Sequence, residues 1–140
     1  MIKTEKTIMA KKIATQAHKD EIDENGYPFI IHLTYIANKM QDEDTCVAAL
    51  LHDILSTTVT ICDLSENFTR TQVEAIELLQ ETPLITDFSA YIDKIKDNEI
   101  AKKVEIEYLT YRLYQLKTSN NYARRLKYRA GLKILTNEIR

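Results

Sequence analysis

The chain has 140 residues, of which 44% are hydrophobic and 29% are charged, and its formal net charge is -2 at pH 7. This length suits one domain with a hydrophobic core, and the composition is that of an ordinary globular protein. No stretch approaches the ~20 uninterrupted apolar residues of a membrane span. The charge balance argues against nucleic acid as a partner of the whole molecule.

Glycine and proline are scarce, with two of each, which favours helices joined by short links over a β-rich fold with many tight turns. Apolar residues recur with a helical period along most of the chain. We therefore predict one all-α domain spanning residues 1–140. The predicted helices lie at about 4–20, 28–40, 42–55, within 58–68, at 71–81, from about 88, from about 98, and at 121–139.

The N-terminal segment is amphipathic and charged throughout, so it is not typical of a secretory signal peptide. The two cysteines, Cys46 and Cys62, have no metal-binding spacing. We expect a cytoplasmic protein whose thiols are reduced and mostly buried.

Residues 48–58, AALLHDILSTT, place His52 and Asp53 side by side within an apolar stretch that is predicted to be helical. His32 interrupts another apolar run, YPFIIHLTYIA. Two imidazoles and one carboxylate suit Mn, Fe or Zn. A His-Asp pair on a helix is also consistent with a hydrogen-bonded core pair, and the pattern alone does not separate these two readings.

These motifs resemble a known family. The shared frame consists of AH at 17–18, G-x-P-F-I-x-H at 26–32, DEDT-x-x-AALLHD at 42–53 and VT at 59–60, and it resumes at 91–109 and 123–132. It is similar to the HD-superfamily hydrolases, in particular to the (p)ppGpp pyrophosphohydrolase domain of RelA/SpoT-type enzymes of the bacterial stringent response. The resemblance implies a single compact HD-domain bundle of about seven helices.

In that family a manganese ion is held by an early His, by the His-Asp pair and by a later Asp. The resemblance carries the first three onto His32, His52 and Asp53. The fourth ligand departs from the pattern, because aligning AKKVEIEYLTYR places Tyr108 at the Asp position and Arg112 at a family nucleotide-contact position. A neutral phenol, with a pKa near ~10, is a poor ligand for a hard divalent ion.

Two further family features are changed. The acidic pair that activates the attacking water falls on Ser56 and Thr57, whose hydroxyls are not bases near neutral pH without a partner. The basic loop that holds the nucleotide falls on Asp23 and Glu24, within an acidic stretch that repels a polyphosphate.

Several other residues leave alternatives open. Glu105, Glu107 or His18 is available to replace the lost ligand, although Glu107 projects about 100° away from Tyr108 on a helix. The tyrosines near Tyr108 are suited either to stacking on a base or to filling space that a metal ion vacates. The basic C-terminal helix is suited to phosphate or to solvent.

Two function classes follow. The first is a degenerate HD domain that binds a small phosphorylated ligand or a protein partner, with little or no hydrolysis. The second is a metal-dependent phosphohydrolase that acts on a (p)ppGpp-like nucleotide or another phosphate ester. The replaced residues favour the first class. A divalent metal, Mn by resemblance, is the cofactor expected for the second.

Overall fold

The architecture is an all-α bundle, as predicted. A computed structural model describes residues 1–23, 25–80, 87–117 and 120–136. The described part contains eight α-helices, rather than about seven, and one short 3-10 helix at Ile54–Ser56. The helices are α1 (Glu5–Ala17), α2 (Phe29–Ala37), α3 (Glu43–Leu50), α4 (Ile61–Asn67), α5 (Arg70–Leu78), α6 (Phe88–Lys96), α7 (Glu99–Leu116) and α8 (Tyr122–Thr136).

Short polar side chains begin most of the helices. Thr4, Thr60 and Thr69 form capping boxes at α1, α4 and α5, in which the threonine hydroxyl accepts a backbone N–H three residues later. Asp42 and Asn98 accept the same kind of hydrogen bond at α3 and α7. These caps satisfy amide groups that have no partner within the helix, so each boundary is encoded locally.

Helices α3 and α7 form the centre of the bundle. α3 packs against α1, α2, α5 and α7, while α7 also contacts α2, α5, α6 and α8. Every residue of α3 from Thr45 to Leu50 is buried, which explains why this stretch has no polar face. The two central helices bring the His-Asp pair next to Tyr108.

The third helix ends earlier than predicted. It stops at Leu50, so His52 and Asp53 lie in the turn that follows rather than in the middle of a helix. Side chains satisfy the carbonyl groups at this end: Nδ1 of His52 lies 2.8 Å from the Ala49 carbonyl oxygen, and Nε2 of Gln80 donates to the His52 carbonyl oxygen at 2.7 Å. The helix ends here because polar side chains take over hydrogen bonds that the next turn would have made.

A closed loop joins α1 to α2. A β-bridge pairs Ile22 with Pro28, and the amide of Phe29 donates to the Glu21 carbonyl oxygen at 2.9 Å. Gly26 has a φ of 85°, in the left-handed region that favours glycine. Pro28 precedes the first residue of α2, consistent with its predicted place at the start of that helix.

Other boundaries differ modestly from the prediction. α1 ends at Ala17 and α2 at Ala37, each a few residues before its predicted end. Pro83 and residues 137–139 of the predicted last helix lie outside the described residues. Cys46 is buried as expected, but Cys62 is exposed, because α4 packs only at the edge of the bundle.

No helix in the described ranges combines the length and apolar character needed to cross a bilayer.

Candidate functional site

All three histidines of the chain meet at one place. The ring centroids of His32 and His52 are 5.7 Å apart. Phe29 connects His18 to this pair, because its ring lies 4.8 Å from the His18 ring and stacks on the His32 ring at 5.0 Å. His32 on α2 and His52 in the turn after α3 thus lie side by side. His18, which the sequence left open, joins them. The expectation that His32, His52 and Asp53 converge on one pocket as metal ligands stays a prediction.

A cavity of about 150 Å³ lies beside this cluster. Its walls come from α2, the turn after α3, the end of α5, α6 and α7. The lining residues are Phe29, His52, Asp53, Leu79, Tyr91, Glu105 and Tyr108. His32 contributes to the wall only indirectly, through its contacts with the rings of Phe29 and Tyr108.

His52 is held as a neutral imidazole. Burial lowers its pKa, and Nδ1 lies 2.8 Å from the Ala49 carbonyl oxygen. Because a carbonyl oxygen only accepts, Nδ1 carries the proton and Nε2 keeps a lone pair. This tautomer is the one in which Nε2 can accept a hydrogen bond or bind a cation.

His32 is neutral for a stronger reason. Its pKa is lowered to about 3, mainly by burial, with further repulsion from His52 and Arg112. Its Nε2 atom is buried and has no hydrogen-bond partner among the described residues. Such an imidazole stays unprotonated near neutral pH, and its buried Nε2 atom is unsatisfied. An unsatisfied buried nitrogen is typical of a metal ligand or of a group that binds another molecule.

Asp53 is partly buried, and desolvation raises its pKa although His52 and His18 oppose the effect. The hydroxyl of Ser56 donates to the Asp53 carbonyl oxygen at 2.8 Å, and that of Thr57 donates to the Ile54 carbonyl oxygen at 2.6 Å. Both hydroxyls are thus engaged by the backbone of the 3-10 turn. The Ser56 hydroxyl also hydrogen-bonds to the Asp53 side chain, which opposes the rise in the pKa of Asp53. A hydroxyl is not itself a base near neutral pH.

Helix α7 provides the opposite wall. The Tyr108 ring contacts the His32 and His52 rings edge-on, with centroid distances of 5.5 and 5.3 Å. Glu105, one turn earlier, is buried and lines the same cavity. Glu107 instead lines a separate surface pocket with Lys39 and Lys103, which confirms that it projects away from Tyr108.

Two of the three predicted nucleotide-contact positions, Asp23 and Arg112, are described by the structure. Asp23 stabilises its own loop, because its Oδ1 accepts the backbone amides of Asn25 and Tyr27 at 2.8 and 3.0 Å. Arg112 is buried, donates to Oε1 of Gln115 at 2.7 Å and lies over the Tyr128 ring. Glu24 lies outside the described residues. Neither Asp23 nor Arg112 is among the described residues that line the cavity.

The donors at this site meet only part of what a resident metal ion requires. The neutral imidazoles of His32 and His52 are suitable ligands, and the unpartnered Nε2 of His32 is consistent with one. However, the described residues contain no group of three or more His, Cys, Asp or Glu side chains placed to hold one ion. The arrangement therefore does not fit a resident divalent metal, and the ligand roles of His32, His52 and Asp53 remain a prediction.

Sequence reasoning missed part of the site. Phe29 and Tyr91 were not singled out, because aromatic residues at helical spacing are read as core. The hydroxyl of Tyr91 donates to the Leu79 carbonyl oxygen at 3.0 Å, which ties α6 to the end of α5. His18, in the motif AH at 17–18, was in contrast among the candidates that the sequence left open.

Comparisons with known proteins support the fold. No protein-family model matches the chain, and no curated protein matches its sequence. A solved structure described as a metazoan ortholog of SpoT, which hydrolyses ppGpp and plays a role in starvation responses, superposes with a TM-score of 0.80. The match covers 100% of this chain and 88% of that chain at 17% sequence identity. The chain therefore has the same fold as that ppGpp-hydrolysing protein.

Proposed function

Starting from the fold shared with a ppGpp hydrolase, we propose that this chain is a degenerate HD domain: a ligand-binding or regulatory module with little or no hydrolysis of (p)ppGpp. The observation that carries the proposal is the position of Tyr108. Its ring packs against both His32 and His52 at the wall of the cavity, where the family resemblance predicts a metal-binding aspartate. A phenol there contributes no negative charge at neutral pH.

The hydroxyls after the His-Asp pair support the same proposal. Ser56 and Thr57 donate to backbone carbonyl oxygens of their own turn. Loss of general-base assistance typically costs 10²–10⁴-fold in rate. A missing base and a missing ligand act on different steps, so their effects should multiply.

A second candidate is a metal-dependent phosphohydrolase that acts on a (p)ppGpp-like nucleotide or another phosphate ester. The observation that favours it is the pair of neutral imidazoles, with Nε2 of His32 unpartnered and Nδ1 of His52 bonded to a carbonyl oxygen. In this alternative a third and a fourth ligand would have to move into place when the ion binds. Metal content of the purified protein separates the two candidates.

The test is restoration of the family residues. The variant Ser56→Glu, Thr57→Asp, Tyr108→Asp is compared with the parent in the presence of manganese, by following pyrophosphate release from ppGpp. We expect no measurable hydrolysis by the parent, and we expect the variant to bind metal and to hydrolyse ppGpp slowly. A parent that turns over at about 1 s⁻¹ or faster, an ordinary rate for an enzyme, would contradict the proposal.

A matched control carries the same substitutions at exposed positions away from the cavity. Ser65→Glu, Thr71→Asp, Tyr114→Asp adds the same charge to the protein, and all three positions are exposed. If this control gained as much metal or activity, the added negative charge on the protein, rather than the site, would be responsible. If it stays silent while the first variant gains both, the His-Asp pair belongs to a former hydrolase site.

A further inference from the structure

We propose that the cavity beside His52 and Asp53 binds a compact organic cation, a primary or methylated ammonium ion, in preference to a polyphosphate. This inference rests on the proposed function, because it names the class of ligand for the same site. It stands on the composition, charge and size of the cavity walls.

Aromatic rings and carboxylates form most of these walls. Phe29, Tyr91 and Tyr108 contribute rings, and Asp53 and Glu105 contribute carboxyl groups. A cation near the face of an aromatic ring is attracted by the negative potential of the ring, most strongly where water is excluded. Rings combined with carboxylates in one small cavity are the chemistry by which proteins recognise ammonium groups.

The rings are also fixed in place before any ligand binds. Phe29 is stacked on His32 with an interplanar angle of 12°. Tyr91 is anchored through its hydroxyl to the Leu79 carbonyl oxygen, and Tyr108 packs edge-on against two imidazoles. A preorganised wall loses little conformational entropy on binding, which favours even a very small ligand.

The charges near the cavity disfavour an anion. None of its seven lining residues is lysine or arginine, whereas two of them are acidic. Arg112 donates to Gln115, lies over the Tyr128 ring and acts electrostatically on His32, but it is not one of the lining residues. A phosphate group entering here would meet carboxylates, whereas a cation would be attracted.

The size of the cavity limits the ligand further. Its volume of about 150 Å³ is below the ~300–1,000 Å³ of pockets that enclose drug-sized molecules. A guanine nucleotide with several phosphates cannot be enclosed in this space. An ammonium ion with up to four methyl groups can.

The experiment titrates the full chain with methylammonium and tetramethylammonium chloride, and separately with inorganic pyrophosphate. Sodium chloride is varied inversely to keep the ionic strength constant. Chemical shifts of the tyrosine and histidine rings report binding. We expect saturable shifts with a Kd of about 1 mM for at least one ammonium ion, and none for pyrophosphate.

Two variants test the walls. Tyr108→Leu removes a ring and Asp53→Asn removes a charge, and each should weaken ammonium binding by about tenfold or more. The matched controls are Tyr114→Leu and Asp93→Asn, which make the same changes at exposed positions outside the cavity. The controls should bind as the parent does. Equal weakening in a variant and its control would overturn the assignment to this cavity.

Hydrolysis of ppGpp is measured on the same samples, so that failure of the ammonium-binding inference can be distinguished from failure of the proposed function. Absence of saturable ammonium binding, or saturable binding of pyrophosphate, overturns the inference, whereas absence of ppGpp hydrolysis by the parent leaves the proposed function standing. Tight manganese binding with which ammonium ions do not compete also overturns the inference. Hydrolysis by the parent at an ordinary rate overturns the proposed function whatever the ammonium ions do.

Discussion

At the scale of single residues, all three histidines are among the buried polar groups of this fold. His18, His32 and His52 are 1%, 3% and 6% exposed. For His32 and His52, burial lowers the pKa, so both are neutral at pH 7. Burial disfavours the protonated form of an imidazole, so it lowers the free energy of unfolding at a pH acidic enough to protonate the ring in the unfolded chain.

This burial predicts a loss of stability in acid. The pKa of His32 is about 3 in the folded protein and about 6.5 in the unfolded chain, so between these values the unfolded chain binds more protons. The contribution of His32 is complete above about pH 6.5 and is lost as the pH falls towards 3. From pH 7 to pH 5, His32 should account for a loss on the order of 2 kcal/mol in the free energy of unfolding.

The measurement is urea unfolding of the parent and of His32→Gln at both pH values. The variant should lose less stability on acidification than the parent. His52, with a lowered pKa, and Asp53, with a raised pKa that acts in the opposite direction, are present in both proteins. Equal losses in the two proteins would show that His32 titrates normally.

At the scale of elements, α8 approaches α6 closely at one glycine. Gly131 is buried, and a Cβ atom placed there would lie 2.7 Å from the Phe88 ring and 3.3 Å from Ile92. A glycine within a helix is intrinsically unfavourable by about 1 kcal/mol relative to alanine. The close approach explains why the helix carries one at this point.

We expect Gly131→Val to reduce the free energy of unfolding by about 1–3 kcal/mol, because the added methyl groups must displace packed side chains. The control is Ala130→Val, which places the same β-branched residue at an exposed neighbouring position of the same helix. Thermal unfolding followed by circular dichroism compares the two. Equal Tm values would mean that α8 does not pack against α6 at this position.

At the scale of the whole molecule, the core is one continuous cluster that extends from α1 to α8. Cys46 lies within it on α3, fully buried, and burial raises the pKa of its thiol. Cys62 is exposed on α4. The thiol of Cys46 therefore reports on opening of the central helix, provided that the exposed thiol is removed.

In a Cys62→Ser variant, we expect a thiol reagent to label Cys46 at least about 10³-fold more slowly than in the unfolded chain, because labelling requires unfolding of a domain with ordinary stability. The labelling rate should rise with urea in parallel with the loss of helical circular dichroism, as a single cooperative transition requires. Rapid labelling in native buffer would show that α3 is not the centre of one cooperative core.

Much of this molecule is determined by local signals in the sequence. Threonine, aspartate and asparagine caps set where helices begin, and each acts through hydrogen bonds within three or four residues. Helical periodicity and the scarcity of glycine and proline predicted an all-α domain. The motifs around His32 and His52-Asp53 predicted the fold of a (p)ppGpp hydrolase, and the structural match to a ppGpp-hydrolysing protein supports it.

Only the tertiary structure decided which polar groups share the cavity. α3 ends at Leu50 partly because the side chain of Gln80, 28 residues beyond His52, donates a hydrogen bond to the His52 carbonyl oxygen. Glu105 lines the cavity and Glu107 does not, because the orientation of α7 against α3 selects one helix face. The meeting of His18 with His52 through Phe29 and His32 depends in the same way on how separate helices pack. Periodicity within each helix contains no information about these packing angles, so side chains far apart in the sequence come together only when the core forms.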